Sequence, residues 1–129
     1  MTLVLDASAA VELVLGTTRG RSVGARITPD LVCPELLDAE VLSALARLVR
    51  AKQVTEQTAD IAAAAVARLP ATRLSHLVLS ERAWALRDRV RVADAFYAAC
   101  AAVLAAPLLT CDARLAAAPL PGVDVLLVR

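Results

Sequence analysis

Short runs of consecutive apolar residues alternate along the chain with longer amphipathic stretches. Short, fully apolar runs are typical of strands buried on both faces of a sheet, and the amphipathic stretches are typical of helices. Asp, Pro or Gly stands at many of the boundaries, where such residues start or end a helix. The pattern predicts strands at 3–5, 30–34, 72–75, 108–111 and 123–128, and helices at 6–15, 19–27, 35–51, 55–69, 79–87, 92–105 and 113–117.

Strands that are apolar throughout and alternate with helices favour a parallel sheet covered on both faces. The predicted fold class is α/β, a three-layer α/β/α sandwich with a short parallel sheet of four or five strands. No linker or low-complexity tract interrupts the 129 residues, so we expect one domain over 1–129. In such sheets ligands bind beyond the carboxyl ends of the strands, where the strand order reverses.

Composition narrows the class of protein. Apolar residues make up 59% of the chain, which excludes a disordered protein, and three Cys residues give no disulfide framework. Pro107 divides the longest uncharged window, 95–111, so we expect no membrane span. The amino terminus has no basic region, and Asp6 interrupts its apolar run, which argues against a signal peptide. Free thiols fit a reducing compartment, and we expect a cytoplasmic protein.

Two carboxylates directly follow predicted strands. Asp6 comes after the first strand and Asp112 after the strand at 108–111. Both are therefore expected at the carboxyl edge of the sheet, where ligands bind. The alternative is that each simply caps the helix that follows, because Asp is a favoured N-cap residue.

Two further acids lie on predicted helices. Glu40 borders the apolar stripe of the helix at 35–51, where a carboxylate is costly unless it is paired or bound to a metal. The alternative is that Glu40 lies at the edge of the stripe, with its carboxylate in solvent and paired with Arg47 or Arg50. Asp94 lies in the first turn of the helix at 92–105, where the helix dipole alone favours an acid.

The four acids together favour a site for a cation. Carboxylates crowded at one edge repel each other unless a positive charge neutralises them. Oxygen ligands without sulfur or nitrogen select a hard cation, Mg²⁺ or Mn²⁺. Metals held in this way serve phosphoryl chemistry by activating water and stabilising the leaving oxygen. Asp6, Glu40, Asp94 and Asp112 therefore predict a metal-dependent phosphodiesterase.

Four segments of the chain, in this order, resemble the PIN domain family and, within it, the VapC-type ribonuclease toxins of bacterial toxin–antitoxin pairs. They are VLDASA at 4–9, PELLDAEV at 34–41, ADAFYAACA at 93–101 and PLLTCDARL at 107–115. The resemblance implies that the catalytic, metal-binding quartet falls on the same four acids, with Asp6 and Asp94 as leading ligands. It also implies supporting roles for Ser8 and Thr110, and it places the first strand beside the strand at 108–111.

The function implied by this resemblance is that of a Mg²⁺-dependent endoribonuclease, with Mn²⁺ as a substitute. It would cleave structured RNA of the tRNA or rRNA class with a metal-activated water. The expected partners are a cognate VapB-type antitoxin and a second copy of the toxin, giving a homodimer and a toxin–antitoxin hetero-oligomer. The alternative is a catalytically silent PIN-like module that binds RNA or supports assembly.

Two other classes with an Asp after a strand are excluded by sequence. A phosphoaspartate receiver needs a Lys at a late strand end, and the one Lys, Lys52, lies on a predicted helix. A haloacid-dehalogenase phosphatase needs a second Asp two residues after the first, and that position is Ser8.

Arginine supplies almost all of the positive charge. The densest run is Arg82, Arg87, Arg89 and Arg91, and a solvated helix face is its simpler explanation. If these residues flank the acidic site, they would hold the phosphate backbone without base specificity. Setting the acidic quartet aside leaves 14 basic residues against nine acidic ones, so a nominally neutral chain becomes a basic body around an acidic centre. This distribution suits an RNA substrate.

The remaining conspicuous side chains have structural interpretations. His76 is expected in a structural or surface role, Trp84 in the core or at a subunit interface, and Cys111 as a buried thiol of a strand. The apolar content exceeds what one small core uses. We therefore expect helices near 36–49 and 62–86 to pack against an antitoxin segment and a second copy of the chain.

Overall fold

The computed structural model describes residues 1–129 and contains five strands and seven helices. The strands are β1 (Thr2–Leu5), β2 (Asp30–Pro34), β3 (Ala71–Leu74), β4 (Leu108–Thr110) and β5 (Val125–Leu127). The helices are α1 (Ala7–Leu15), α2 (Thr18–Gly24), α3 (Leu36–Arg50), α4 (Glu56–Ala67), α5 (Ser80–Ala85), α6 (Val92–Leu104) and α7 (Ala113–Ala117), with a 3-10 turn at His76–Val78. Every predicted element is present. The second to fifth helices and the last strand are each two or three residues shorter than predicted.

All five strands are parallel and follow the order β3-β2-β1-β4-β5. The chain builds outward from β1 through β2 to β3 and then returns to the other side of β1 with β4. The order therefore reverses between β1 and β4, where Val4 pairs with Leu108 and Leu5 with Leu109. This is the adjacency that the sequence resemblance implied, and it brings the residues after β1 and β4 to one edge of the sheet.

Helices cover the sheet and complete the predicted α/β/α sandwich. Helices α1 to α4 pack against one another, whereas α6 packs with α5 and lies against β1, β2 and β4. The central strands are the centre of the core: Val4, Leu5, Leu108 and Leu109 are fully buried. Burial of apolar strands on both faces stabilises the carboxyl edge from which the candidate site is built.

Arg73 on β3 ties the edge of the sheet to two helices. Its guanidinium donates to both carboxylate oxygens of Asp38 on α3, at 3.2 and 2.8 Å. It also donates to the backbone carbonyls of Val66, Leu69 and Ala71. One side chain thus connects α3, the last turn of α4 at Val66 and the segment that leads from α4 into β3.

Two of the structural interpretations need correction. Trp84 is 64% exposed, so the core alternative is wrong, and the subunit-interface alternative stays a prediction. The guanidinium of Arg87 lies over the ring at 4.6 Å from its centroid. Cys111 lies after β4, which ends at Thr110, and is half-buried, whereas Cys33 and Cys100 are buried.

His76 has the expected structural role. Its Nε2 accepts a hydrogen bond from the backbone N–H of Leu36 at 3.1 Å, at the start of α3, and its ring packs against Phe96.

None of the helices has both the length and the apolar content needed to cross a membrane.

Helices α1 and α2 approach each other at Gly20. A Cβ atom placed there would lie 1.9 Å from the backbone carbonyl oxygen of Glu12, which cannot move away without distorting α1. Gly24, one turn later on the same helix, has only the Leu13 Cδ1 atom nearby, at an ordinary contact distance of 3.4 Å. The two glycines of α2 therefore have different structural requirements.

We expect Gly20→Ala to lower the free energy of unfolding by about 2–3 kcal/mol, because the added methyl group forces two helices apart. Gly24→Ala removes the same conformational freedom from the unfolded chain without a clash and should be neutral or stabilising by up to about 1 kcal/mol. Urea unfolding of both variants measures this difference. Equal effects of the two substitutions would show that the close approach at Gly20 is wrong.

Candidate functional site

All four predicted acids line one cavity at the carboxyl edge of the sheet, with a volume of about 500 Å³. They come from four different parts of the chain: Asp6 and Asp112 follow β1 and β4, Glu40 lies in the second turn of α3, and Asp94 in the first turn of α6. The cavity is completed by Ala7, Ser8, Val11, Leu36, Ala39, Ser43, Ala44, Arg47, Arg91 and Tyr97.

Asp6 is the buried acid of the group, with 3% of its surface exposed. Three donors hold its carboxylate. Oδ1 accepts from the Ser8 hydroxyl at 2.7 Å and from the Ala9 backbone N–H at 2.9 Å, and Oδ2 accepts from the Thr110 hydroxyl at 2.5 Å. The hydrogen bond from Ala9 makes Asp6 the N-cap of α1. Asp6 therefore caps a helix and lines the cavity at the same time, so the two interpretations of this residue do not exclude each other.

Ser8 and Thr110 join the ends of two strands. While both hydroxyls donate to Asp6, the Ser8 oxygen accepts from the backbone N–H of Cys111 and the Thr110 oxygen from that of Asp112, each at 2.9 Å. The carboxylate of Asp6 is thereby fixed relative to the segment that carries Asp112. This is a concrete form of the supporting role implied for the two hydroxyls.

Burial raises the pKa of Asp6 to about 6, because a carboxylate loses hydration in the protein interior. The hydrogen bonds from Thr110, Ala9 and Ser8 oppose this rise, and the negative charge of Asp94 adds to it. The site therefore holds a carboxyl group whose charged form is disfavoured as long as no positive charge compensates it.

Glu40 is held by Tyr97 of α6, whose hydroxyl donates to Oε1 at 2.7 Å. Neither Arg47 nor Arg50 pairs with Glu40, so the predicted ion-pair alternative is wrong. Tyr97 is almost completely buried, and its pKa is raised, first by desolvation and then by the hydrogen bond to Glu40. The phenol therefore stays protonated and acts as a donor.

Asp94 is paired with Arg91, the residue before α6. The guanidinium donates from Nε to Oδ2 and from a terminal nitrogen to Oδ1, both at 3.1 Å. Asp112 in turn accepts from the backbone N–H of Arg114 at 2.9 Å and caps α7. Asp94 and Asp112 are thus both partly exposed at the rim of the cavity.

The four arginines of the basic run do not act as a unit. Arg91 lines the cavity, and Arg89 lines an adjoining cleft that also includes Arg91, Asp94 and Asp112. Arg82 and Arg87 line neither. The structure therefore brings two of the four predicted phosphate-binding residues to the acidic cavity.

Two residues of the cavity were missed in the sequence. Tyr97 follows Asp94 by three positions and Arg47 follows Glu40 by seven, which places each on the same helix face as its acid. Helical periodicity from a suspected site residue was therefore a usable signal. The sequence predicts Arg47 only as an ion-pair partner of Glu40.

The donor set is that of a hard cation, because the four acids offer only oxygen. No group of three or more His, Cys, Asp and Glu side chains is tight enough to coordinate one ion directly. Mg²⁺ commonly binds to one or two carboxylates and keeps several waters. The arrangement fits that mode better than a closed cage of side chains.

The raised pKa of Asp6 predicts a pH-dependent penalty in the metal-free protein. The folded chain retains a proton on Asp6 up to about pH 6, whereas the unfolded chain loses it near pH 3.9. Stability attributable to Asp6 therefore falls as the pH rises from about 4 to about 6 and stays low above that. Asp6→Asn removes the charge and should be more stable than the wild type at pH 7, by up to about 3 kcal/mol.

Urea unfolding of both proteins in EDTA at pH 4 and pH 7 measures this. The advantage of Asp6→Asn should shrink at pH 4, where Asp6 is protonated in the folded wild type. An advantage that is the same at both pH values would rule out a raised pKa at this position.

Comparison with known proteins agrees with the fold and the order of the motifs. The PIN domain family matches residues 3–120. Ribonuclease VapC12 of Mycobacterium tuberculosis is 38% identical over 115 residues, which is 88% of this chain and 89% of that protein. Ribonuclease VapC1 of the same organism is 40% identical over 129 residues, covering 98% of this chain and 97% of the relative.

Solved structures agree at the level of the fold. A toxin–antitoxin complex from Klebsiella pneumoniae contains a chain that superposes with a TM-score of 0.69 at 18% identity, covering 98% of both chains. VapBC-5 of Mycobacterium tuberculosis, a member of the VapBC family of toxin–antitoxin systems, gives a TM-score of 0.60 at 23% identity, again over 98% of both chains. With its matched residues, sequence relatives and strand order, the chain belongs to the PIN domain family and, within it, to the VapC group.

Proposed function

We propose that the protein is a Mg²⁺-dependent endoribonuclease toxin, with Mn²⁺ as a substitute, which a cognate antitoxin neutralises. The observation that carries the proposal is the convergence of Asp6, Glu40, Asp94 and Asp112 on one cavity with Arg91 and Arg47 at its rim. The relatives named ribonuclease VapC support RNA as the substrate.

Asp6 has room for one more ligand. A carboxylate offers about four lone-pair positions, and three are used by Ser8, Ala9 and Thr110. Oδ2 accepts only one of these bonds, so it is the oxygen left for a cation. A cation there would offset the desolvation that raises the pKa of Asp6.

Bound Mg²⁺ supplies a water of lowered pKa and stabilises negative charge on the phosphate and leaving oxygens. Asp6 and Asp94 are the leading ligands, and Glu40 and Asp112 contribute directly or through water. Tyr97 fixes Glu40 through Oε1, which leaves Oε2 free to accept from a water. Ser8 and Thr110 keep Asp6 in place, so the deepest ligand cannot rotate away. Membership of the family implies products with 5′-phosphate and 3′-hydroxyl ends.

The surroundings of the cavity suit an anionic polymer. Arg47 and Arg91 line the cavity and Arg89 the adjoining cleft, so cationic side chains lie on more than one side of the acids. Guanidinium groups contact phosphates without reading bases. Structured RNA of the tRNA or rRNA class is the proposed substrate.

An antitoxin is proposed for the groove between α3 and α4, on the region where sequence predicted a partner. Leu42, Leu45, Ala46, Val49, Ala59 and Ala63 form its apolar lining, with Arg50, Glu56 and Asp60 at the rim. Leu42 and nearby Ile61 are 47% and 63% exposed, which leaves apolar surface uncovered. A helix with apolar anchors fits such a groove. A second copy of the chain, as in a homodimer and a larger toxin–antitoxin assembly, would cover exposed Leu77, Val78 and Trp84.

The neighbouring gene tests the antitoxin proposal. A short upstream frame encoding a DNA-binding segment followed by a tail of apolar residues and arginine would support it. An unrelated neighbour, together with monomeric behaviour of the free chain at high concentration, would contradict the proposed partners.

A catalytically silent module remains the competing function. The presence of all four acids in one cavity counts against it, since a binding module has no need to pay the desolvation of Asp6. Binding of RNA without turnover in either Mg²⁺ or Mn²⁺ would favour it.

We expect Asp94→Asn to reduce RNA cleavage at least about 100-fold, because a leading ligand loses its charge. The fold should persist, since an ion pair whose arginine is largely in solvent contributes only about 1 kcal/mol. Asp88→Asn is the matched control: Asp88 is exposed, lies outside the cavity and loses the same charge.

Cleavage of structured RNA by purified protein in Mg²⁺, with an EDTA arm, measures the effect, and circular dichroism reports the fold. Loss of activity in EDTA and in Asp94→Asn, with Asp88→Asn active, is the expected result. Full activity of Asp94→Asn, or cleavage that persists in EDTA, would overturn the assignment.

A further inference from the structure

Arg91 carries an inference that deepens the proposed function and rests on it. The residue immediately precedes α6, and its side chain folds back by three positions onto Asp94 in the first turn. Both oxygens of Asp94 accept from one planar guanidinium, in the two-pronged geometry that arginine forms with carboxylates. A cation that approached these oxygens would therefore meet a positive guanidinium already at hydrogen-bond distance from both of them and would be repelled by it.

The charges around Arg91 strengthen this placement. The hydrogen bonds to Asp94 and its charge raise the pKa of Arg91, partial burial opposes this rise, and the charges of Glu40 and Asp112 add to it. Three of the four acids of the site thus act on the same guanidinium. Without a metal ion, Arg91 is the only cation in direct contact with one of these four acids, apart from the loose approach of Arg114 to Asp112 at 3.9 Å.

The pair is weak enough to be exchanged. The side chain of Arg91 is 72% exposed, so water competes for its guanidinium, whereas that of Asp94 is only 16% exposed. No other hydrogen bond holds the guanidinium in this position. A divalent cation of higher charge density can therefore take over the oxygens of Asp94 while the arginine side chain moves into solvent.

We propose that Arg91 is a built-in counter-ion of the acidic site, which a divalent cation must displace from Asp94. Its guanidinium neutralises Asp94 in the metal-free protein and is released at the rim of the cavity when the metal binds. A released guanidinium is then available to the phosphate of the substrate. Metal binding and the availability of this cationic contact are coupled through one carboxylate.

Removal of Arg91 should consequently tighten metal binding, which is the opposite of what a residue that orients Asp94 for the metal would do. In Arg91→Gln, we expect the Kd for Mn²⁺ to fall about two- to fivefold, the range that corresponds to an exposed ion pair. Mn²⁺ is titrated into metal-free protein, and free Mn²⁺ is followed by electron paramagnetic resonance, so the readout needs no catalysis.

Arg89→Gln is the matched control. It removes the same charge two residues away, lines the cleft that also contains Asp94, and donates to the carbonyl of Pro119 and not to an acid of the site. It should tighten Mn²⁺ binding less than Arg91→Gln does. Arg91→Lys keeps the charge without the two-pronged geometry and should give an intermediate Kd. Urea unfolding confirms that the variants are folded.

Equal or weaker binding of Mn²⁺ by Arg91→Gln, with a wild type that binds Mn²⁺ and cleaves RNA, would overturn the counter-ion role and leave the proposed function intact. Equal tightening in Arg91→Gln and Arg89→Gln would also overturn it, because the effect would then be one of general charge. Failure of the wild type and every variant to bind Mn²⁺ would instead refute the metal site of the proposed function, and the counter-ion role with it.

Discussion

Burial of one carboxylate at the junction of β1 and β4 is the constraint from which the site is built. Asp6 is held by donors from both strand ends, so the geometry of the acid depends on the parallel pairing of β1 with β4. The same contacts fix Ser8 and Thr110, whose oxygens accept from the segment that carries Asp112. Displacement of either strand would move two acids at once.

The four acids of the site carry more negative charge than their neighbours neutralise. Asp6 has a raised pKa in spite of three hydrogen bonds, Glu40 is fixed by a buried phenol, and Asp94 borrows its counter-charge from Arg91. Each of these acids therefore has its own hydrogen-bond or ion-pair partners, and those partners do not neutralise the cavity as a whole. A divalent cation would compensate all four acids together, which is the physical reason to connect the cavity with metal-dependent phosphodiester chemistry.

The sequence predicted the strands, the helices and the convergence of the acids, because apolar runs, caps and the carboxyl-edge rule are local or topological signals. It did not predict which side chains hold the acids by hydrogen bonds. Glu40 and Tyr97 are 57 residues apart, and only packing of α3 near α6 brings them together. The three-residue spacing of Arg91 and Asp94 is compatible with an ion pair. The sequence does not show which of the four neighbouring arginines forms it. The exposure of Trp84 had no signal in the sequence, because single large apolar residues are common on the surfaces of folded proteins.

The central claim is that the cavity binds a divalent cation through Asp6 and Asp94, and its most direct test is the position of that ion. A crystal of the free protein soaked in Mn²⁺ and measured at a wavelength where manganese scatters anomalously locates the metal without reference to activity. The account predicts one anomalous peak within about 2.5 Å of Oδ2 of Asp6 and of a carboxylate oxygen of Asp94. A fully soaked crystal with no peak in this cavity, or with its strongest peak elsewhere on the protein, would contradict it.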